Sequence, residues 1–156
     1  MDKNTNNLYL TKEGLENLKK EFQNLVDAKR PEIAKRIKEA REMGDISENS
    51  EYDAARQEQS FVEGRIEELE EILKNATIST PAKKDSVGVG CKVTVHVDGT
   101  DEAFHIVGAL EANPLQQKIS HESPLGAALL GKKIGEKIEV DAPVGKLIYT
   151  ILKIEY

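Results

Sequence analysis

The chain has 156 residues, of which 38% are hydrophobic and 32% are charged, and its formal net charge at pH 7 is −6. This negative charge argues against a protein that wraps duplex nucleic acid by bulk electrostatics, and the single cysteine, Cys91, excludes an internal disulfide and a multi-cysteine metal site. The polar N-terminal stretch lacks the apolar segment of a signal peptide, and no apolar run approaches the roughly 20 residues that span a bilayer. We therefore predict a cytoplasmic protein.

Residues 11 to 76 are predicted to form two long helices, because their apolar residues recur with alternating spacings of three and four. The two stripes are Leu15, Leu18, Phe22 and Leu25 in the first helix, and Val62, Ile66, Leu69, Leu73 and Ala76 in the second. Neither helix can bury its stripe alone, so two such helices joined by a short turn must pair antiparallel as a coiled-coil hairpin.

Three positions predict where these helices begin, bend and end. Thr11 is a plausible N-cap of the first helix. Arg30-Pro31 predicts a kink or a short break, because proline removes a helical hydrogen bond and clashes with the preceding turn. Gly44 is a good residue to end the first helix, and the second is expected to run from Ser47 or Ser50 to about Ala76.

The turn between the two helices is unusually acidic. Residues 42–53, which we call the acidic stretch, hold five carboxylates and no Lys or Arg. A solvated turn needs no such concentration of one charge, because like charges close together repel. An acidic cluster at the end of a rigid rod can deliver oxygen ligands to a metal ion that a partner holds. The stretch is therefore the first candidate for a functional site.

The second half of the chain changes to a period of two, which predicts β-strands after a linker at residues 78–86. Asp98-Gly99 predicts a hairpin turn. Ser123, Pro124 and Gly131 have the order expected for the N-cap, first residue and C-cap of a short helix. The expected strands are 91–97, 104–110, 137–142 and 146–154. The predicted fold is α+β: a helical hairpin at 1–77 and a small antiparallel sheet with one short helix at 87–156.

Taken together, these segments resemble the Gre family of bacterial transcript-cleavage factors over nearly the whole chain. The matching segments are 10–14, 30–33, 40–55, 65–70, 106–108, 119–120 and 123–132. The resemblance implies an N-terminal coiled-coil hairpin and a C-terminal domain of FKBP-like fold. It also implies a factor that binds RNA polymerase, inserts the hairpin through the secondary channel and stimulates cleavage of backtracked RNA. In that family the nuclease centre belongs to the polymerase, so the resemblance implies that this chain is not itself an enzyme.

The resemblance implies that Asp45 and Glu48 are the catalytic carboxylates. They would hold a Mg²⁺ ion jointly with the polymerase active site, and the factor would have no cofactor of its own. Two-metal hydrolysis needs an ion that stabilises both the attacking and the leaving oxygen, and Mg²⁺ prefers hard oxygen ligands. The alternative is that Asp45 and Glu48 are a helix-capping pair, because Asp-x-x-Glu has that spacing.

Two further groups of residues take roles from the resemblance. Arg41 and Arg56 would face the RNA, where arginine contacts phosphate bidentately; the alternative is surface pairing with Glu42 or Asp53. The segment that would dock on the polymerase is Glu122, Ser123 and Pro124. The alternative there is a simple N-cap by Ser123, which is compatible with docking.

The implied partners are RNA polymerase and the 3′ end of nascent RNA, with no membrane and no small-molecule substrate. Residues 1–80 hold 13 Lys plus Arg against 18 Asp plus Glu, a net charge of −5, which favours the less basic of the family's cleavage factors. Other functions remain open from the residues: a peptidyl-prolyl isomerase, which the few aromatics of the second half disfavour; a coiled-coil scaffold or chaperone; and an inhibitory homologue that occupies the channel without promoting cleavage.

Overall fold

The computed structural model describes residues 8–44, 49–80 and 85–156. Its α-helices are α1 (Lys12–Asn24), α2 (Arg30–Glu42), α3 (Ser50–Asn75) and α4 (Pro124–Leu129). Its strands are β1 (Leu8–Leu10), β2 (Ala76–Ile78), β3 (Lys92–Val97), β4 (Thr100–Val107), β5 (Lys118–Ser120), β6 (Lys137–Ala142) and β7 (Gly145–Glu155). The described helices are not long and apolar enough to cross a membrane.

The contacts divide the chain into two compact units. One unit is residues 16–75, and the other contains the described residues of 1–15 and 76–156. The domains predicted from the sequence, residues 1–77 and 87–156 with a linker between them, stay a prediction. The structure adds that the strand β1 and the first turn of α1 pack with the second half of the chain.

The unit of residues 16–75 is the predicted helical hairpin. Apolar residues on facing sides of α2 and α3 form its core, with Phe22, Leu25, Val26 and Tyr52 packed at the margin. The buried residues of this core are Ile33, Ile37, Ala55, Val62 and Ile66. Arg30, at the start of α2, pairs with Glu63, whereas Arg36, further along α2, pairs with Glu51, nearer the start of α3, so the helices run antiparallel.

A π-helical turn, Leu25–Lys29, stands where the sequence predicted a kink or break. The N–H of Arg30 bonds to the carbonyl of Leu25, and α2 then begins with Pro31 in its first turn. Proline has no N–H to continue the hydrogen-bond ladder and its ring clashes with the carbonyl four residues earlier, so the wider π-turn directly before α2 accommodates Pro31. The predicted kink or break therefore takes the form of a π-turn.

The second unit is built on a five-stranded sheet with the order β5-β4-β3-β7-β6. Asp98 and Gly99 both have positive φ in the two-residue turn between β3 and β4, as a hairpin turn with the right-handed twist requires. Alternate residues of β3, with Leu129 of α4, lie in the core. The buried core residues are Val87, Val89, Cys91, Val93, Val95, Ile106, Leu129, Ile138 and Ile151.

The predicted fold class is confirmed, with three corrections of detail. The sheet is mixed, because β4 and β5 pair in parallel. The strand expected at 104–110 begins directly after the turn, at Thr100, and ends at Val107. Residue 78, where the linker was expected to begin, is the last residue of β2, which pairs in parallel with β1 and places Ile78 opposite Leu10.

Candidate functional site

One side chain joins the ends of α2 and α3 at the tip of the hairpin. Asn49 Nδ2 donates a hydrogen bond to the carbonyl of Ala40 at 2.8 Å, and Asn49 Oδ1 accepts one from the N–H of Tyr52 at 3.2 Å. The second bond makes Asn49 the N-cap of α3. Gly44, with φ of 133°, follows α2 in a backbone conformation that residues with a Cβ rarely adopt. Sequence reasoning missed the role of Asn49, although asparagine directly before a helix is a strong N-cap signal.

The two predicted catalytic residues, Asp45 and Glu48, lie outside the described residues. Both belong to the tip loop, which we define as residues 43–49 between α2 and α3. Within residues 8–44, 49–80 and 85–156, no three side chains of His, Cys, Asp or Glu come together as a metal-binding group. The capping alternative for Asp45 and Glu48 falls on the same residues outside the description, while among the described residues Asn49 caps α3.

Arg41 and Arg56 are both exposed near the tip loop, on opposite helices. Arg41 lies over the ring of Tyr52, with its guanidinium carbon 5.8 Å from the ring centroid. Arg56 Nη1 donates to Gln59 Oε1 at 2.7 Å. The ion pairs between described residues do not include the alternative partners Glu42 and Asp53.

Part of the acidic stretch is neutralised from the facing helix. Arg36 of α2 donates through Nη2 to Glu51 at 3.0 Å and through Nη1 to Glu58, so it ties α2 to two positions of α3 that lie about two turns apart. These two hydrogen bonds, to Glu58 first and Glu51 second, raise the pKa of the Arg36 guanidinium. The charge of Glu51 in the acidic stretch is therefore compensated from α2, which the composition alone did not show.

Two more arginine–carboxylate pairs join the arms of the hairpin further from the tip. Arg30 binds Glu63 with two bonds of 2.7 Å, and Arg65 binds Glu21 with bonds of 2.7 and 3.0 Å. The bond from Arg30 lowers the pKa of the Glu63 carboxyl, and the bonds from Glu21 and then Glu68 raise that of Arg65. Bidentate geometry specifies alignment, so these pairs hold the two arms in one register.

The candidate docking segment is a tight turn before α4. Ser123 caps α4 as predicted: its hydroxyl accepts a bond from the N–H of Gly126 at 3.1 Å and donates to the carbonyl of Ser120 at 2.7 Å. Pro124 is the first residue of α4. Glu122 projects from the turn with 69% of its side chain exposed, and His121 Nε2 is 3.9 Å from its carboxylate. The three predicted docking residues thus share one surface turn.

Comparison with known proteins identifies the class to which this pair of units belongs. The family model described as "Transcription elongation factor, N-terminal" matches residues 8–78. The model described as "Transcription elongation factor, GreA/GreB, C-term" matches residues 82–156. The chain is therefore a transcription elongation factor.

Curated relatives give the more particular assignment. The chain is 48% identical to transcription elongation factor GreA of Thermomicrobium roseum, over 94% of this chain and 96% of the relative. It is 50% identical to the GreA of Lactococcus lactis subsp. cremoris, over 94% and 96%. The chain belongs to the GreA/GreB family. Among solved structures it is similar to GreA factor homolog 1 (Gfh1) of Thermus thermophilus, with 32% identity over 96% of this chain and 99% of that chain and a TM-score of 0.44.

Proposed function

We propose that this chain binds bacterial RNA polymerase, inserts the tip of its helical hairpin into the secondary channel and stimulates the polymerase's own cleavage of backtracked nascent RNA. The polymerase supplies the nuclease centre and the chain supplies carboxylates, so the chain is not itself an enzyme. It acts in the cytoplasm, its partners are the polymerase and the 3′ end of the RNA, and it takes no small-molecule substrate.

The observation that carries this proposal is the acidic loop at the closed end of an antiparallel helix pair. Three arginines of the hairpin pair with carboxylates across the two arms, whereas the tip loop carries Asp45 and Glu48. A rod whose two arms are joined by ion pairs and whose end carries acidic residues suits the delivery of oxygen ligands to a distant metal centre. Membership of the GreA/GreB family supports the same role.

Asp45 and Glu48 would hold a Mg²⁺ ion jointly with the polymerase. Carboxylate oxygens are the hard ligands that Mg²⁺ prefers, and two of them leave room for waters and for ligands from the partner. When bound, the ion stabilises the charge on the attacking and leaving oxygens. The carboxylates also accept a hydrogen bond from a water and so orient it, while Arg41 and Arg56 contact RNA phosphates. The surface turn of Glu122, Ser123 and Pro124 contacts the polymerase.

A cleavage assay on a stalled, backtracked polymerase complex tests this function. The wild-type chain should shorten the RNA from its 3′ end. Asp45→Asn and Glu48→Gln keep the side-chain shape but remove the charge, so each should lower the cleavage rate by orders of magnitude while still competing with wild type for the polymerase. Extra Mg²⁺ should partly restore the rate. Glu42→Gln, which removes a neighbouring exposed carboxylate, is the matched control and should cleave normally.

The possible outcomes separate the proposal from its alternatives. Normal cleavage by both variants would show that the acidic loop is only a turn. A loss of binding in proportion to the loss of cleavage would make the tip a docking surface. A wild-type chain that binds the polymerase but does not shorten RNA would favour the inhibitory homologue.

A further inference from the structure

We infer that Asn49 is a positioning residue for the tip loop. Its side chain joins the last turn of α2 to the first turn of α3, and the loop between those turns carries Asp45 and Glu48. The inference rests on the proposed function, because positioning matters only if the loop delivers these carboxylates. It adds a residue that contacts neither metal nor RNA but sets where the two carboxylates are presented.

The two bonds of Asn49 satisfy one unpaired group at each helix end. The carbonyl of Ala40 is in the last turn of α2, where carbonyls have no donor within the helix. The N–H of Tyr52 is in the first turn of α3, where N–H groups have no acceptor within the helix. Only one orientation of the Asn49 amide, with Nδ2 toward the carbonyl and Oδ1 toward the N–H, makes both bonds.

Both anchors of Asn49 are held by packing. Ala40 is 2% exposed, and Ala55 on the facing helix is fully buried. Tyr52 packs against the hairpin core and lies under the guanidinium of Arg41. Met43, by contrast, is 86% exposed in the tip loop. Among the described residues, the packed part of the hairpin therefore ends at the positions that Asn49 connects.

Asparagine suits this position better than the other capping residues. Serine and aspartate can accept a bond from the N–H of Tyr52, but neither offers an amide donor to the carbonyl of Ala40. Glutamine has both groups on a side chain that is one methylene longer. The substitution Asn49→Ser therefore separates the two functions of the side chain: it keeps a neutral cap for α3 and removes the link to α2. Asn49→Ala removes both.

The experiment measures single-turnover RNA cleavage in the backtracked complex as a function of the concentration of the full-length factor. For Asn49→Ser we expect the maximal rate at saturating factor to fall by about tenfold, which corresponds to one hydrogen bond. The half-saturating concentration should stay within about twofold of wild type, because the docking turn is unchanged. Extra Mg²⁺ should not restore the rate, since the ligands are present but misplaced. Thermal unfolding should resemble that of wild type for Asn49→Ser and fall for Asn49→Ala.

Each outcome decides the inference. A maximal rate of Asn49→Ser equal to wild type would overturn it and leave Asn49 as a cap only. A cleavage rate that falls in proportion to thermal stability in both Asn49→Ser and Asn49→Ala would overturn it as well. Asp45→Asn and Glu48→Gln are measured alongside: if they lose cleavage while Asn49→Ser keeps it, the proposed function stands and this inference fails. If they cleave normally, the proposed function fails and takes the inference with it.

Discussion

The carboxylate of Glu111 closes the first turn of α1 by accepting hydrogen bonds from the backbone N–H of Thr11, at 2.9 Å, and from its hydroxyl. The same carboxylate accepts a longer bond from the N–H of Gly108. A negative charge at a helix N-terminus is favourable because the N–H groups of the first turn point toward it. The start of α1 is thus tied to the segment that follows β4.

Gly14 leaves the space that the Glu111 carboxylate occupies, so Gly14→Ala should destabilise the protein. A Cβ at position 14 would lie 2.0 Å from Glu111 Oε1 and 2.2 Å from its Cδ. Glu111 would have to move and would lose its bonds to Thr11. We expect a loss of about 1–3 kcal/mol in the free energy of unfolding, measured by urea titration.

Gly64→Ala is the matched control for Gly14→Ala, since Gly64 lies inside α3 and a Cβ added there would meet no neighbouring group within 4 Å. It should raise the free energy of unfolding by up to about 1 kcal/mol, because alanine favours helix. If both substitutions stabilise the protein, or if Gly14→Ala costs the same in a Glu111→Ala background, the explanation from crowding at Glu111 is wrong.

The elements that sequence predicted best are those with a local signal. The heptad stripes predicted the hairpin, and Asp98-Gly99 predicted the β3–β4 turn, because both depend on residues close together in the chain. The strands β1 and β2 were not predicted. Each is three residues long, too short for a period, and each finds its partner on the far side of the hairpin sequence. Such pairing depends on tertiary contacts that no local pattern reports.

In the site, too, features with a local sequence signal were predictable and features that depend on tertiary contacts were not. Asn49 was predictable in principle, since asparagine before a helix is a common cap, but the Asp45–Glu48 spacing offered a competing cap nearby. The pairing of Arg36 with Glu51 and Glu58 was not predictable, because it depends on the register between two helices. That register arises from packing along the whole core, which the spacing of apolar residues constrains only to within about a turn.

The pair of Arg30 and Glu63 should make stability depend on pH in the acid range. The pKa of Glu63 is lowered in the folded chain, first by its hydrogen bond with Arg30. Its contribution is therefore fully present above the unfolded pKa of about 4.5 and is lost as the pH falls through the lower folded value. Glu63→Gln should be less stable than wild type at neutral pH and equal to it at strongly acid pH.

Unfolding curves of wild type and Glu63→Gln across this pH range measure the effect. Glu67→Gln, at an exposed position one turn further along α3, serves as the reference for removing a carboxylate from the same helix. A stability difference between wild type and Glu63→Gln that does not change with pH would show that the pair contributes through packing and not through charge.

Charge reversal at Glu122 should weaken docking without affecting folding. Its side chain is 69% exposed, and the turn that presents it is held by Ser120 and Ser123. Glu122→Lys should change the free energy of unfolding by no more than about 0.5 kcal/mol. We expect a markedly weaker competition with wild type for RNA polymerase. Glu102→Lys, an exposed carboxylate on β4, should compete normally; equal losses from both variants would indicate a general charge effect.

Arg56 should contribute to cleavage through one contact with RNA phosphate. Its described hydrogen bond is to Gln59 on the same helix, so the guanidinium keeps further donors for a ligand. A charge-assisted contact contributes about 1.5–3 kcal/mol, so Arg56→Ala should lower the cleavage rate by up to about a hundredfold.

The cleavage rate of Arg56→Lys should lie between those of Arg56→Ala and wild type, because lysine keeps the charge and loses the bidentate geometry. Gln59→Ala should cleave normally. The deficit of Arg56→Ala should shrink as salt rises, since a phosphate contact is screened; a deficit independent of salt, or one well beyond a hundredfold, would exclude this role.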